Sequence, residues 1–281
     1  MKPQAIFIDI DNTLIPHGAK DFKVSLENIL AIKNAQKKGI YVVIATGRSY
    51  FEAINVQKQI RFNKYGDYLI SNNAASIDKV GDEPKNLWES EIELSLVKEI
   101  INYAKKNKFL IRMSQEDKFY GQINSKIIKH IFKKYGHEIV DYKNLDPSIK
   151  GTRRKIGFLP QILSLKKIKK TVAELNIKFP NLEIGLVGPG RFIEVNAKGV
   201  SKAKGLAILA KELKLDLNKC AAIGDSNNDI EMFKVVGISI AMENANQNVK
   251  KYAKFETAHT KKSGVAKAIN SIYEIKEKDE Y

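Results

Sequence analysis

The chain has 281 residues, enough for one large domain or two ordinary ones, and its 43% hydrophobic and 28% charged content is that of a soluble globular protein. No apolar run approaches the ~20 residues of a membrane span, the N-terminus lacks a signal-peptide profile, and the single cysteine, Cys220, excludes an internal disulfide. The expected setting is therefore a reducing cytoplasm. The net charge of +16 is spread evenly: residues 82–196 carry 22 basic and 14 acidic side chains, the rest 26 and 18. That distribution argues for a solvated lysine-rich surface, without the basic stripe of a nucleic-acid binder, although its field would draw anionic substrates.

The pattern begins with a strand over Ala5–Ile10, apolar until Asp9 and Asp11 interrupt it. Buried carboxylates are costly unless paired, so this strand end needs cations. Ser25 can cap a helix carrying Leu26, Ile29, Leu30 and Ile32 that stops near Gly39. IYVVIAT (40–46) is an unbroken β-branched run, as expected of a parallel strand covered on both faces, and YLISN (68–72) supplies a third strand after a polar helix. Residues 82–196 have another texture. Helices are expected at about 94–107, 124–135 and 162–176, with half-polar strands FLIRM, RKIGFL, LEIGLV and RFIEV suited to a sheet exposed on one side. After residue 197 the first style returns with GVSKAKGLAILAKEL as helix, CAAIGD as strand, NDIEMFKVV as helix and GISIAM as strand.

These patterns give an α/β fold: a doubly wound parallel-sheet core from residues 1–81 and 197–281, interrupted by an inserted α+β domain at 82–196. A ligand is expected where the carboxyl ends of the parallel strands face the insert. Three strand ends carry unusual residues: Asp9, Asp11 and Thr13; Thr46, Gly47 and Arg48; and Asp225 through Asn228 to Asp229. Lys202 lies in the first turn of the helix before the third of these strands, where the helix dipole disfavours a cation and an anionic neighbour is implied. Hard oxygen donors without His or Cys favour Mg²⁺. A lysine, a hydroxyl and backbone amides beside such an ion make a cradle for phosphoryl oxygens.

The motifs DIDNT (9–13), Thr46, Lys202 and GDSNND (224–229) resemble the four signatures of the haloacid dehalogenase-like phosphohydrolases. ATGR (45–48), SNNAA (71–75), FIEVNAKGVSKAKGL (192–206) and AMENA (241–245) resemble the Cof-type members, which insert a large α/β cap. The resemblance implies Asp9 as nucleophile, Asp11 as general acid/base, and Mg²⁺ held by Asp9, Asp225 and the backbone carbonyl of Asp11. It implies phosphoryl binding by Thr46, Gly47, Lys202 and Asn228, with Asp229, Thr13 and Arg48 in support. The implied activity is hydrolysis of a small phosphorylated metabolite, a sugar phosphate or a phosphorylated cofactor, through an aspartyl-phosphate, under a cap that closes over the substrate. A phosphomutase, a dedicated sugar-phosphate phosphatase and a phosphometabolite-binding protein stay open as alternatives, as does the choice between monomer and weak dimer.

Two positions depart from the family pattern. Asn72-Asn73 stands where an Asn-Gly pair is common, which requires Asn73 to accept a positive φ. Lys262-Ser263 replaces an acidic pair before Gly264-Val265. Elsewhere the four histidines (His17, His130, His137 and His259) lack metal-ligand spacing, and Cys220 reads as a small core residue. Trp88 and Tyr120 read as packing residues or as lining between the domains, and KGTRRK (150–155) as an exposed basic loop or a second anion grip.

Overall fold

The computed structural model describes residues 2–16, 22–114, 118–123, 130, 133, 138–161, 164–187 and 192–273. The chain divides into two compact units, Met1–Glu89 with Ser201–Tyr281, and Ser90–Val200.

In chain order, the first unit begins with β1 (Ala5–Ile8), α1 (Leu26–Lys37), β2 (Tyr41–Ala45), α2 (Tyr50–Ile60) and β3 (Tyr68–Ser71). It continues with the antiparallel strands β4 (Ser76–Lys79) and β5 (Lys85–Glu89). The second unit contains α3 (Leu94–Lys106), β6 (Leu110–Met113), β7 (Lys118–Tyr120), β8 (Glu138–Val140), β9 (Lys155–Leu159), α4 (Leu165–Lys178), β10 (Leu182–Val187) and β11 (Phe192–Ala197). The chain then returns to the first unit through α5 (Lys202–Leu213), β12 (Cys220–Gly224), α6 (Ile230–Val235), β13 (Ile238–Met242), α7 (Gln247–Lys250), β14 (Phe255–Thr257) and α8 (Gly264–Ile272).

The core sheet runs β14-β13-β12-β1-β2-β3-β4-β5. Its six strands from β14 to β3 are parallel, and β4 and β5 are antiparallel additions at one edge. Alternation along the strands explains the apolar runs. Ile6, Ile8, Val42, Ile44 and Ile223 pack on one face against Ile32, Val56 and Ile269 of α1, α2 and α8. Phe7, Val43, Ile70 and Ala222 pack on the other against Leu206 and Phe233 of α5 and α6. Strands covered on both sides leave no solvated face, and polar residues are displaced to their ends. The Ser25 hydroxyl caps α1, accepting from the Asn28 amide at 3.4 Å.

The sheet of the insert runs β10-β11-β9-β6-β7-β8, antiparallel except for β7 with β8. One face carries Ile111, Ile156, Phe158, Ile193 and Val195 against Val97, Ile100 and Ile168 of its helices. Alternate positions (Leu110, Phe119, Leu159 and Phe192) form a separate small cluster. The second face is therefore not bare: Leu110 and Phe119 are buried on it, and the expectation of a face left to solvent holds only in part.

Both domain boundaries fall later than the sequence suggests. β5 pairs with β4 in the core sheet, carrying the first crossing from residue 81 to Glu89. β11 stays paired with β10 up to Ala197, carrying the second from residue 197 to Ser201. The expected strand over Ala5–Ile10 ends at Ile8, because Ile10 accepts from the amides of Thr13, Leu14 and Ile15 in a tight turn. The helix expected at 124–135 lies almost wholly outside the described residues. Trp88 packs within the core and Tyr120 within the insert. Among the described residues no helix is long and apolar enough to cross a membrane.

Candidate active site

The parallel order places the ends of β1, β2 and β12 side by side, since β1 pairs with both β2 and β12. Asp9 directly follows β1, its amide bonded to the Ile223 carbonyl at 3.1 Å. Asp225 directly follows β12. Lys202 opens α5, whose cap is Ser201, and its side chain is fully buried. Its Nζ lies 2.6 Å from Asp9 Oδ1 and 2.6 Å from Asp229 Oδ1. An ammonium between two carboxylates offsets part of the cost of ending a buried strand in acid.

Asp229 is a brace as well as a counter-charge. Its Oδ2 accepts from the amides of Asp225 and Ser226, each at 2.9 Å, fixing the loop that carries Asp225. Asp225 Oδ1 accepts from the Thr13 hydroxyl at 2.9 Å, which ties the β12 loop to the β1 loop. Carboxylate oxygens of Asp9, Asp225 and Asp229 all lie within 4.8 Å of one another.

The β1 turn is held from behind by residues to which the sequence gives no role. Asn244 donates to the Asn12 carbonyl at 2.8 Å, and the Thr260 hydroxyl to the Thr13 carbonyl at 3.1 Å. Asn244 Oδ1 in turn accepts from the Thr260 amide. The AMENA motif signals Asn244 only by resemblance; for Thr260 the sequence carries no signal, because the contact spans 247 positions.

Thr46 is buried after β2, its hydroxyl accepting from the Arg48 amide at 3.2 Å. Asn73 accepts a left-handed φ of 55°, as its position requires. Its amide bonds to the Thr46 carbonyl, and its side-chain oxygen accepts from Asn228 at 3.1 Å. A Cβ at Gly47 would sit only 3.1 Å from that oxygen, so glycine permits the close approach of the two loops. The β2, β3 and β12 loops are thus joined through Asn73.

Asp11 stands apart from the carboxylate cluster. Arg48 grips it with two bonds, Nε to Oδ2 at 2.7 Å and Nη2 to Oδ1 at 2.5 Å. Arg48, for which the sequence leaves a role beyond the turn undecided, therefore has a defined partner. His259 caps a turn through Nδ1, and Arg153 of the basic loop pairs with Glu91.

The haloacid dehalogenase-like hydrolase family matches residues 6–269. The chain belongs to this family. It is 31% identical over 268 residues to the 5-amino-6-(5-phospho-D-ribitylamino)uracil phosphatase YcsE of Bacillus subtilis, covering 94% of this chain and 93% of that protein. A haloacid dehalogenase-like hydrolase from Bacteroides thetaiotaomicron shares the fold with a TM-score of 0.81 at 24% identity, over 96% of this chain and 99% of that one. A sugar phosphatase of haloacid dehalogenase subclass IIB superposes with a TM-score of 0.75 at 25% identity, over 97% and 100%.

The electrostatics of this cluster follow from burial. Desolvation raises the Asp9 carboxyl well above the usual range, with Lys202 opposing and Asp229 adding to the rise. Burial and then the Asp229 charge push Asp225 up to about 6, against the Thr13 and Ser226 hydrogen bonds. Burial alone would lower Lys202, but Asp229 and Asp9 overcome it and raise the ammonium's pKa. The cluster thus holds more carboxylate than one lysine neutralises, in a set of hard oxygen donors that fits a divalent cation.

Proposed function

We propose that this haloacid dehalogenase-like phosphatase is a Mg²⁺-dependent phosphomonoesterase that works through phosphorylation of Asp9. The observation that carries the reading is the fully buried Lys202 bridging Asp9 and Asp229 beside Asp225. Three buried carboxylates beside one lysine leave negative charge that the lysine does not compensate, and a divalent cation would offset it.

In this reading Asp9, Asp225 and the backbone carbonyl of Asp11 hold Mg²⁺, with Asp229 orienting Lys202 and the Asp225 loop. When bound, the ion supplies positive charge that keeps these carboxylates ionised and neutralises phosphoryl oxygens. Asp9 attacks phosphorus in line while Asp11 gives a proton to the departing alcohol oxygen. Asp11 then takes a proton from water as the water attacks the aspartyl-phosphate, releasing inorganic phosphate and regenerating Asp9. Lys202 stabilises the Asp9 anion and, with Thr46, the Gly47 backbone and Asn228, the transferring group.

The substrate class is a small phosphate ester of a polyol or sugar. Its support is the subclass IIB sugar phosphatase above and the ribitylamino-uracil phosphate named for YcsE and two further Bacillus subtilis relatives. The test is phosphate release from a panel of sugar phosphates, polyol phosphates and 5-amino-6-(5-phospho-D-ribitylamino)uracil, with Mg²⁺ and with chelator. Turnover of several members that chelation abolishes is expected. Metal-independent release, or no release from any member, would remove the proposal.

A further inference from the structure

Arg48 is held in a way that surface arginines are not. Its main chain is pinned at both ends, the amide to the Thr46 hydroxyl at 3.2 Å and the carbonyl to the Asn72 amide at 2.7 Å. Its side chain is mostly buried, at 18% exposure, while the Asp11 side chain it grips is 46% exposed. Arg48 is therefore the fixed member of the pair and Asp11 the one being held. The edge of the guanidinium makes the two-point contact with Asp11, and its central carbon lies over the Phe22 ring, 4.4 Å from the ring centre. A ring over the group and a fork on its edge restrain it from two directions.

Phe22 is itself anchored. It is a large apolar side chain left 43% exposed, on a backbone with φ of 47°, a conformation disfavoured for a bulky residue. Gln59 of α2 clamps the segment from both sides: its Nε2 donates to the Phe22 carbonyl at 3.0 Å and its Oε1 accepts from the Val24 amide at 3.1 Å. An exposed aromatic on left-handed backbone gains little from burial, so its position is explained by what it covers.

We propose that Gln59, Phe22 and Arg48 form a brace that fixes the plane and position of the Asp11 carboxyl for proton exchange with the substrate's ester oxygen. These three are positioning residues, and the inference rests on the reading of Asp11 as the group that serves the leaving alcohol. A carboxyl on an exposed turn samples several rotamers, whereas one seated in a guanidinium fork presents a single face. For the first step one Asp11 oxygen carries the proton and is turned out of the fork toward the ester oxygen while the other stays on Arg48; once the proton has passed to the alcohol, the carboxylate closes both bonds to the guanidinium.

The consequence is a dependence on the leaving group. Sugar and alkyl alcohols are poor leaving groups that need a proton, whereas 4-nitrophenolate departs without one. The experiment measures kcat/KM, which reports the first phosphoryl transfer, for glycerol 1-phosphate and 4-nitrophenyl phosphate in the parent and in Asp11→Asn, Arg48→Gln, Arg48→Lys and Phe22→Ala. Arg48→Gln is expected to lose about 100-fold on the alkyl ester and under about 10-fold on the aryl ester, the loss lying in kcat and not in KM. Arg48→Lys keeps the charge but lacks the fork, and is expected to recover less than about a tenth of the loss. Phe22→Ala, at an exposed position that does not threaten folding, is expected to show the same selectivity at about 5–10-fold on the alkyl ester.

Equal losses on both esters would mean that Arg48 binds the phosphoryl group directly, and would overturn the brace. Parent-like Phe22→Ala kinetics would remove Phe22 and Gln59 from it. The two levels of the argument separate cleanly. If Asp11→Asn itself shows no alkyl selectivity, the reading of Asp11 fails; if Asp11→Asn is selective and Arg48→Gln is not, the brace alone fails.

Discussion

The two units of this hydrolase treat charge differently. In the core, Lys202, Asp9 and Asp229 are almost entirely buried and gathered at the rim of a sheet covered on both faces. In the insert, the ion pairs Arg153 with Glu91 and Lys155 with Glu194 are part-buried links, one pinning the 147–153 segment and one joining β9 to β11. The core has supporting pairs too, such as Arg61 with Asp67, but among the described residues it alone also buries several carboxylates around one lysine, which costs stability. Such a cost is retained at a functional site and not in a scaffold.

Asp9→Asn should give the largest effect on activity, a loss on the order of 10⁴-fold in turnover, because an amide cannot serve as nucleophile. Its circular dichroism should match the parent, since Asn is isosteric and Lys202 keeps Asp229. Lys202→Met should give the largest effect on stability in metal-free protein. Removing one partner from a buried cluster costs about 3–5 kcal/mol, read as a drop in denaturant midpoint at unchanged m. A stabilised Lys202→Met would place the core cluster with the supporting pairs of the insert and erase the contrast.

The pH dependence sharpens the same point. The Asp225 pKa is raised to about 6 by burial. The folded metal-free protein therefore binds more protons there than the unfolded chain, and stability falls as pH rises through the interval from the ordinary carboxylate value to about 6. The penalty is absent below that interval and complete above it, on the order of 2–3 kcal/mol. Thermal melts should show Mg²⁺ raising Tm at pH 8 more than at pH 5, and Asp225→Asn should lose that increment. An equal increment at both pH values would contradict the assignment.

In the insert, Arg153→Ala should cost about 2 kcal/mol, because it removes the Glu91 pair and the bond to the Pro147 carbonyl, 2.9 Å long in the parent. The smallest expected change is Ser164→Ala, which removes the cap of α4 for about 1 kcal/mol in urea titration.

The core was legible because a parallel strand covered on both faces leaves a continuous apolar run, and such a run ending in Asp9, Thr46 or Asp225 marks a rim. The meeting of Lys202 with Asp9 across 193 positions follows from the order of strands. The supports were not legible. Asn244 and Thr260 act through single hydrogen bonds whose residue types are ordinary in loops, and Phe22 reads as one more apolar side chain until its ring is seen over Arg48. β5 looked like the start of the insert because its exposed, lysine-containing edge lacks the pattern of a covered strand; its pairing with β4 is what assigns it to the core.

The central claim is that Asp9 carries the phosphoryl group. Enzyme quenched in acid during turnover and then reduced with borohydride converts a phosphorylated aspartate to homoserine, which peptide mass spectrometry locates. Homoserine at position 9, lost when substrate is omitted, is the predicted result. Conversion at another aspartate, or none at all in enzyme shown to be turning over under the same quench, would contradict the account.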